Sequence, residues 1–204
     1  MTFKDLTPDN VFLIHDVIVK KYKIDGGFNN KGTVESLLEK IQFLEYDDVY
    51  KNGALLLEGL TRLHPFVDGN KRTALQSLRQ YLNQNGYLFF LPLSTTAFLH
   101  KIAATEENDP ENTEKLVKEI GIWLKNNSVT EKKRWQARGI FWIHYMWPTK
   151  LIVFFSKIHL PKVAGFILKK YLKHNVSDLD ENMIEFIMDT QLKQMEFMAH
   201  KEDP

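Results

Sequence analysis

The chain has 204 residues, 44% of them hydrophobic and 12% aromatic, with 27 Lys+Arg against 26 Asp+Glu. That supports one good core, or one core plus a small annex, in a globular soluble protein. The absence of cysteine excludes disulfides, thiolate nucleophiles and zinc–thiolate sites.

The start Met1-Thr2-Phe3-Lys4-Asp5 has no apolar signal region, so a cytoplasmic location is expected. The richest apolar stretch, 139–160, is interrupted by His144, Pro148, Lys150, Lys157 and His159, and no transmembrane helix is expected.

Taken in order, the chain reads as one helix after another. Thr7 and Pro8 supply a cap and an N1 proline for a helix over 11–22, and Thr33 caps a second over 34–44. Helical spacing then predicts elements over 52–63, 71–85, 94–104 and 112–125. Only 26–32 and 88–91 look strand-like, so the expected fold class is all-α, a helical bundle with a small β-hairpin flap.

The polar run Lys125-Asn126-Asn127-Ser128 suggests a boundary between a domain of 1–128 and a helical C-terminal extension of 129–204. The extension is first basic, since Glu131 is the only acid between 130 and 175, and there it carries Trp135, Trp142 and Trp147. Basic residues interleaved with aromatics suit an RNA or acidic-protein surface, but because aromatics are usually buried the favoured reading is a small helical annex whose aromatics form a core. The acidic stretch 177–200 has Leu179, Met183, Ile184, Ile187 and Met188 at helical spacing and reads as an amphipathic terminal helix.

The chemistry concentrates in His64-Pro65-Phe66-Val67-Asp68-Gly69-Asn70-Lys71-Arg72. Pro65 disfavours helical geometry at His64, which therefore opens a loop. Asn70 is a good N-cap, Ala74, Leu75, Leu78, Tyr81 and Leu82 follow at helical spacing, and Gly86 is placed to end the helix. The first N–H groups of such a helix lack internal partners and sit at the positive end of its dipole, and Gly69 leaves room for an anion. Lys71 and Arg72 add cations where the helix alone disfavours them. Asp68 with phosphate oxygens is a usual way to hold Mg²⁺. His64 carries an imidazole, the side chain most often used to take a proton from a hydroxyl near neutral pH. The run is equipped for phosphoryl or nucleotidyl transfer.

This run resembles the signature of the Fic family, and Lys71 followed by Thr73-Ala74-Leu75 is similar to its death-on-curing (Doc) branch. The resemblance covers roughly residues 5 to 127. It implies His64 as general base, Asp68 as the Mg²⁺ carboxylate, Gly69, Asn70, Lys71 and Arg72 as the nucleotide-phosphate site, and Phe66 as a buried loop anchor. Gly26-Gly27-Phe28-Asn29-Asn30-Lys31-Gly32, followed by 33–39, resembles the flap that docks the target. The implied co-substrate is ATP or another nucleotide with Mg²⁺.

AMP-transferring members usually carry Gly where this chain has Lys71 and Arg where it has Leu75. The departures imply a reversed nucleotide that presents its γ-phosphate, and the likeness to the Doc branch implies a Ser or Thr of a target protein as acceptor, a toxin-like role in translation, and an antitoxin encoded separately unless the tail serves that purpose. AMP transfer by the same site and a non-enzymatic RNA- or protein-binding module are the alternatives. Ser177, Glu181 and Asn182 fit a pattern by which some Fic proteins block their own pocket, though Leu75 stands where that mechanism needs an arginine. Ser177 or Asp178 as a plain helix cap is the competing reading.

Overall fold

The computed structural model describes residues 5–44, 47–92, 95–105 and 110–130, together with Phe186, Asp189 and Thr190. The first helix, α1 (Pro8–Tyr22), begins where Thr7 accepts from the Asn10 N–H and the Asn10 side chain accepts from the Thr7 N–H, closing a reciprocal capping box. Its inner face is Val11, Ile14, His15 and Ile18. Then follow α2 (Lys31–Leu44), α3 (Val49–Arg62), α4 (Asn70–Gln84), β1 (Tyr87–Phe89), α5 (Thr95–Ala104), α6 (Pro110–Asn126) and β2 (Ser128–Thr130).

The chain divides into two compact units, one of 1–89 with 101–131 and one of 90–100 with 132–204. In the first, α3 is the central helix, packed by α2, α4 and α6 and buried on most of its circumference. Gly59 lets α2 approach it closely: a Cβ there would lie 2.5 Å from Leu37 Cδ1. The antiparallel pair β1–β2 joins the chain after α4 to the chain after α6, with Leu88 opposite Val129. In the second unit Phe90, Leu91 and Leu99 are buried, as are Phe186 and Thr190.

The expected all-α architecture with a small two-stranded element is what the chain adopts. The two strands, however, are β1 and β2. Segment 26–32 makes a single antiparallel bridge, Phe28 to Phe66, before α2 begins at Lys31. Five helix starts precede the expected residues, α1 at Pro8 and α4 at Asn70 among them. α2 starts at Lys31 and leaves Thr33 inside it, with the Thr33 N–H donating to Asn30 O. α3 starts at Val49 because Asp48 caps the N–H groups of Tyr50 and Lys51, and α6 starts at Pro110. Among the described residues no helix is long and apolar enough to cross a membrane. The basic aromatic stretch 130–175 and the acidic helix expected over 177–200 lie almost wholly outside the described residues, where Phe186, Asp189 and Thr190 are helical.

Candidate active site at the start of α4

The loop between α3 and α4 turns on His64, whose φ of 44° puts it in the left-handed region. This agrees with the expectation that Pro65 keeps His64 out of right-handed helical geometry at the mouth of a loop, and a non-glycine residue held this way costs about 1–2 kcal/mol. Compensating bonds surround it. Asn29 Nδ2 donates to His64 O at 2.9 Å and to Phe66 O at 3.0 Å. The N–H groups of Asn29 and Asn30 donate to Pro65 O, and the Val67 N–H donates to Gly27 O. Residues 26–30 are thus sewn along the motif loop.

Phe66 is fully buried. Its N–H donates to Asn70 Oδ1 at 3.0 Å, and its carbonyl accepts from Asn70 Nδ2 at 2.7 Å. Asn70 was expected as the N-cap; instead Gly69 occupies that position, with φ 78° and no side-chain cap bond, and Asn70 is the first helical residue. Its carboxamide is spent on bracing Phe66, so what Asn70 offers an anion is its backbone N–H. Gly69 also has a role beyond the one expected. A Cβ there would meet Ile24 Cδ1 at 2.7 Å and His15 Cε1 at 3.6 Å, so the missing side chain makes room for α1 and its C-terminal turn as well as permitting the positive φ.

His15 is the residue that sequence reasoning missed. Its ring stacks on Phe66 with centroids 3.8 Å apart and planes 14° from parallel, and its Nδ1 is 3.2 Å from Thr73 Oγ1. Burial pushes its pKa down, against the opposing pull of Asp16, the Gly26 backbone and Asp68. The one available signal was a histidine on the apolar stripe of α1 formed by Val11, Ile14 and Ile18. Phe28 and Phe12 extend the aromatic cluster toward Lys31, whose Nζ lies 4.5 Å from the Phe28 ring centre.

At the mouth of the loop His64 and Asp68 are exposed, and Asp68 Oδ1 accepts from the Gly69 N–H. Arg72 is 7% exposed, with its guanidinium 5.0 Å from the Tyr22 ring centre and Nη2 4.0 Å from Asp68 Oδ1. Its Nη1 is buried with no hydrogen-bond partner. Such an orphaned charged donor beside the open N–H groups of a helix start fits a bound anion. Lys71 is half-buried beside it. Among the described residues no three His, Cys, Asp or Glu side chains converge into a metal cluster. A divalent cation at Asp68 would therefore be completed by nucleotide oxygens and water, as Mg²⁺ commonly is.

Glu58 stands six residues before His64. It is ion-paired with Arg62 one turn along α3. The pair lines a groove of about 1030 Å³ between α2, α3 and α6, together with Asn30, Lys40 and Leu63. Ser177, Glu181 and Asn182 lie outside the described residues.

An all-α scaffold thus presents an exposed histidine and a carboxylate just before a cationic helix start. A model of the Fic/DOC family matches residues 5–82. The chain is also 30% identical over 91 residues to the protein named Protein kinase doc from Escherichia phage P1, an alignment covering 43% of this chain and 72% of that protein. The chain belongs to the Fic/Doc family and is a Fic/Doc-type transferase.

Proposed function

We propose that the protein transfers the γ-phosphate of ATP, or of another nucleotide, to a Ser or Thr hydroxyl of a target protein. The observation that carries this reading is the buried, unpartnered Nη1 of Arg72 beside an acid-free helix start, with His64 exposed at the loop mouth. The name of the phage P1 relative, a protein kinase, supports the same choice. So does Leu75, which is fully buried in α4 and offers no second cation to a nucleotide in the AMP-transferring orientation.

In this reading Gly69, Lys71 and Arg72, with the backbone N–H of Asn70, hold the phosphates, and Asp68 is the carboxylate that holds Mg²⁺. The metal neutralises charge on the phosphate oxygens when bound. His64 takes the proton of the target hydroxyl as that oxygen bonds to the γ-phosphorus, and the bond from the γ-phosphorus to the β–γ bridging oxygen breaks to release the nucleoside diphosphate. Arg72 and the helix start stabilise the charge that builds up. Phe66 anchors the loop, and the flap 26–32 docks an extended segment of the target.

Several further elements belong to the same proposal. The catalytic domain is 1–128, and 129–204 is a helical extension in which a nucleic-acid contact through the basic part and inhibition of the site by Glu181 are open to test. The target is a translation factor met in the cytoplasm, and a separate antitoxin restrains the enzyme.

The test is incubation with cell lysate, Mg²⁺ and ATP labelled in parallel at the α- or the γ-phosphate, with His64→Ala as control. Label from γ alone on a protein band, lost in His64→Ala, is the expected result. Label from α means AMP transfer. A His64→Ala variant that keeps the full cellular effect means a binding module.

A further inference from the structure

Among the described residues no hydrogen bond or ion pair holds the imidazole of His64, so the fold constrains it through the backbone, which sets the direction of its Cα–Cβ bond. That backbone is in a conformation the local chain disfavours. L-residues avoid positive φ, and the proline that follows biases its predecessor toward extended geometry. Something outside the loop has to hold it.

The holding group is the Asn29 carboxamide. Its nitrogen carries two hydrogens and faces two carbonyl oxygens, His64 O at 2.9 Å and Phe66 O at 3.0 Å. Two acceptors fix which end of the amide points inward, and both donors are used. The bonds bracket Pro65 from either side. Turning His64 to an extended φ would swing its carbonyl off Asn29 and carry the side chain with it.

Attachment of residues 26–30 to the loop does not depend on this side chain. The Asn29 and Asn30 N–H groups reach Pro65 O, and the Val67 N–H reaches Gly27 O, through backbone alone. The carboxamide therefore has a separate task. We infer that Asn29 is a positioning residue, whose side chain locks the His64 backbone in the left-handed conformation that aims the base. The inference rests on the reading of His64 as the base, and it makes the flap the part of the molecule that sets that base.

The experiment uses the full chain and compares wild type with Asn29→Ala, Asn29→Gln and Asn29→Asp by two readings. The first is the ¹³Cα and ¹³Cβ chemical shifts of His64, which report its φ. The second is the rate of label transfer from ATP to the acceptor band in lysate, with ATP affinity measured by calorimetry. Asn29→Ala should move the His64 shifts toward extended values and slow transfer about tenfold or more, with ATP affinity changed by less than about twofold. Asn29→Asp, which sets oxygen against both carbonyls, should do at least as much. Asn29→Gln, which keeps the NH₂ group, should recover part of both readings.

Unchanged His64 shifts in Asn29→Ala overturn the inference whatever the enzyme does, and shifts that move without any loss of rate overturn the positioning role. A wild type that transfers no label overturns the proposed reaction yet leaves the shift comparison readable. Should Asn29→Ala fail to fold, Asn29→Ser, which keeps a single donor, decides the matter by the same readings.

Discussion

The imidazole of His15 lies flat on the Phe66 ring, 3.8 Å between centroids, while its Nδ1 reaches Thr73 Oγ1 at 3.2 Å. One buried side chain of α1 thus touches both the motif loop and the helix that follows it. Loop and helix must hold a fixed relation if a base on one is to serve an anion on the other, and this contact is one of the ties between them.

Acid should weaken that tie. Burial depresses the His15 pKa below its ordinary value near 6.5, so in the interval between the folded and unfolded values the unfolded chain binds more protons. Its contribution to stability is complete above the unfolded value and is lost as the pH falls through the depressed one. Urea unfolding at about pH 7.5 and about pH 5.5 should show a larger acid loss for wild type than for His15→Phe, which keeps a ring on Phe66 but cannot be protonated. Equal losses would assign the acid sensitivity to other groups.

Asn70 closes the loop by serving both backbone groups of a fully buried residue. Asn70→Ala leaves the Phe66 N–H without its acceptor and should cost about 1–3 kcal/mol in denaturant unfolding. Asn70→Asp keeps the acceptor but faces the Phe66 carbonyl with oxygen, and it should be no better than alanine. A loss below about 0.5 kcal/mol for both would mean that water replaces the brace.

Gly69→Ala meets two separate obstacles, the 78° φ and the 2.7 Å approach to Ile24 Cδ1. It should destabilise by about 2 kcal/mol or more. Adding Ile24→Ala removes the clash and not the backbone strain, so a double-mutant cycle should show a favourable coupling of about 0.5–2 kcal/mol with a residual penalty. Strict additivity would mean that the φ is the whole cost.

Arg72 combines a ring face, a nearby carboxylate and an unpartnered Nη1. Arg72→Gln should weaken ATP binding about tenfold or more, about 1.4 kcal/mol. Arg72→Lys should recover little, because an ammonium supplies neither the fork nor the flat face that stacks on Tyr22. Calorimetry checks both, and wild-type affinity in Arg72→Lys would reduce the guanidinium to a structural part.

Much of the molecule was legible in advance because its cues are local. The Thr7-Pro8 cap, the apolar spacing of α4 and the turn at Gly86 act within a few residues of the chain, and the structure has helices where they point. That the run from His64 to Arg72 is a loop opening into a helix was readable for the same reason. Helix starts were less legible: Asp48 as the cap of α3 is seen only once the chain is known to turn there.

What sequence could not reveal were the partners brought from far along the chain. Asn29 on the His64 carbonyl joins positions 35 apart, and His15 on Thr73 joins positions 58 apart. With them came roles the sequence did not show: Gly69 also admits α1, and Asn70 braces Phe66 where it was expected to cap α4. Residue types and their order determine which chemistry the loop can offer, because those are properties of the local chain. Only the tertiary structure decides how the loop is held, because a buried donor is satisfied by whichever acceptor packing brings within about 3 Å, and packing depends on the whole core.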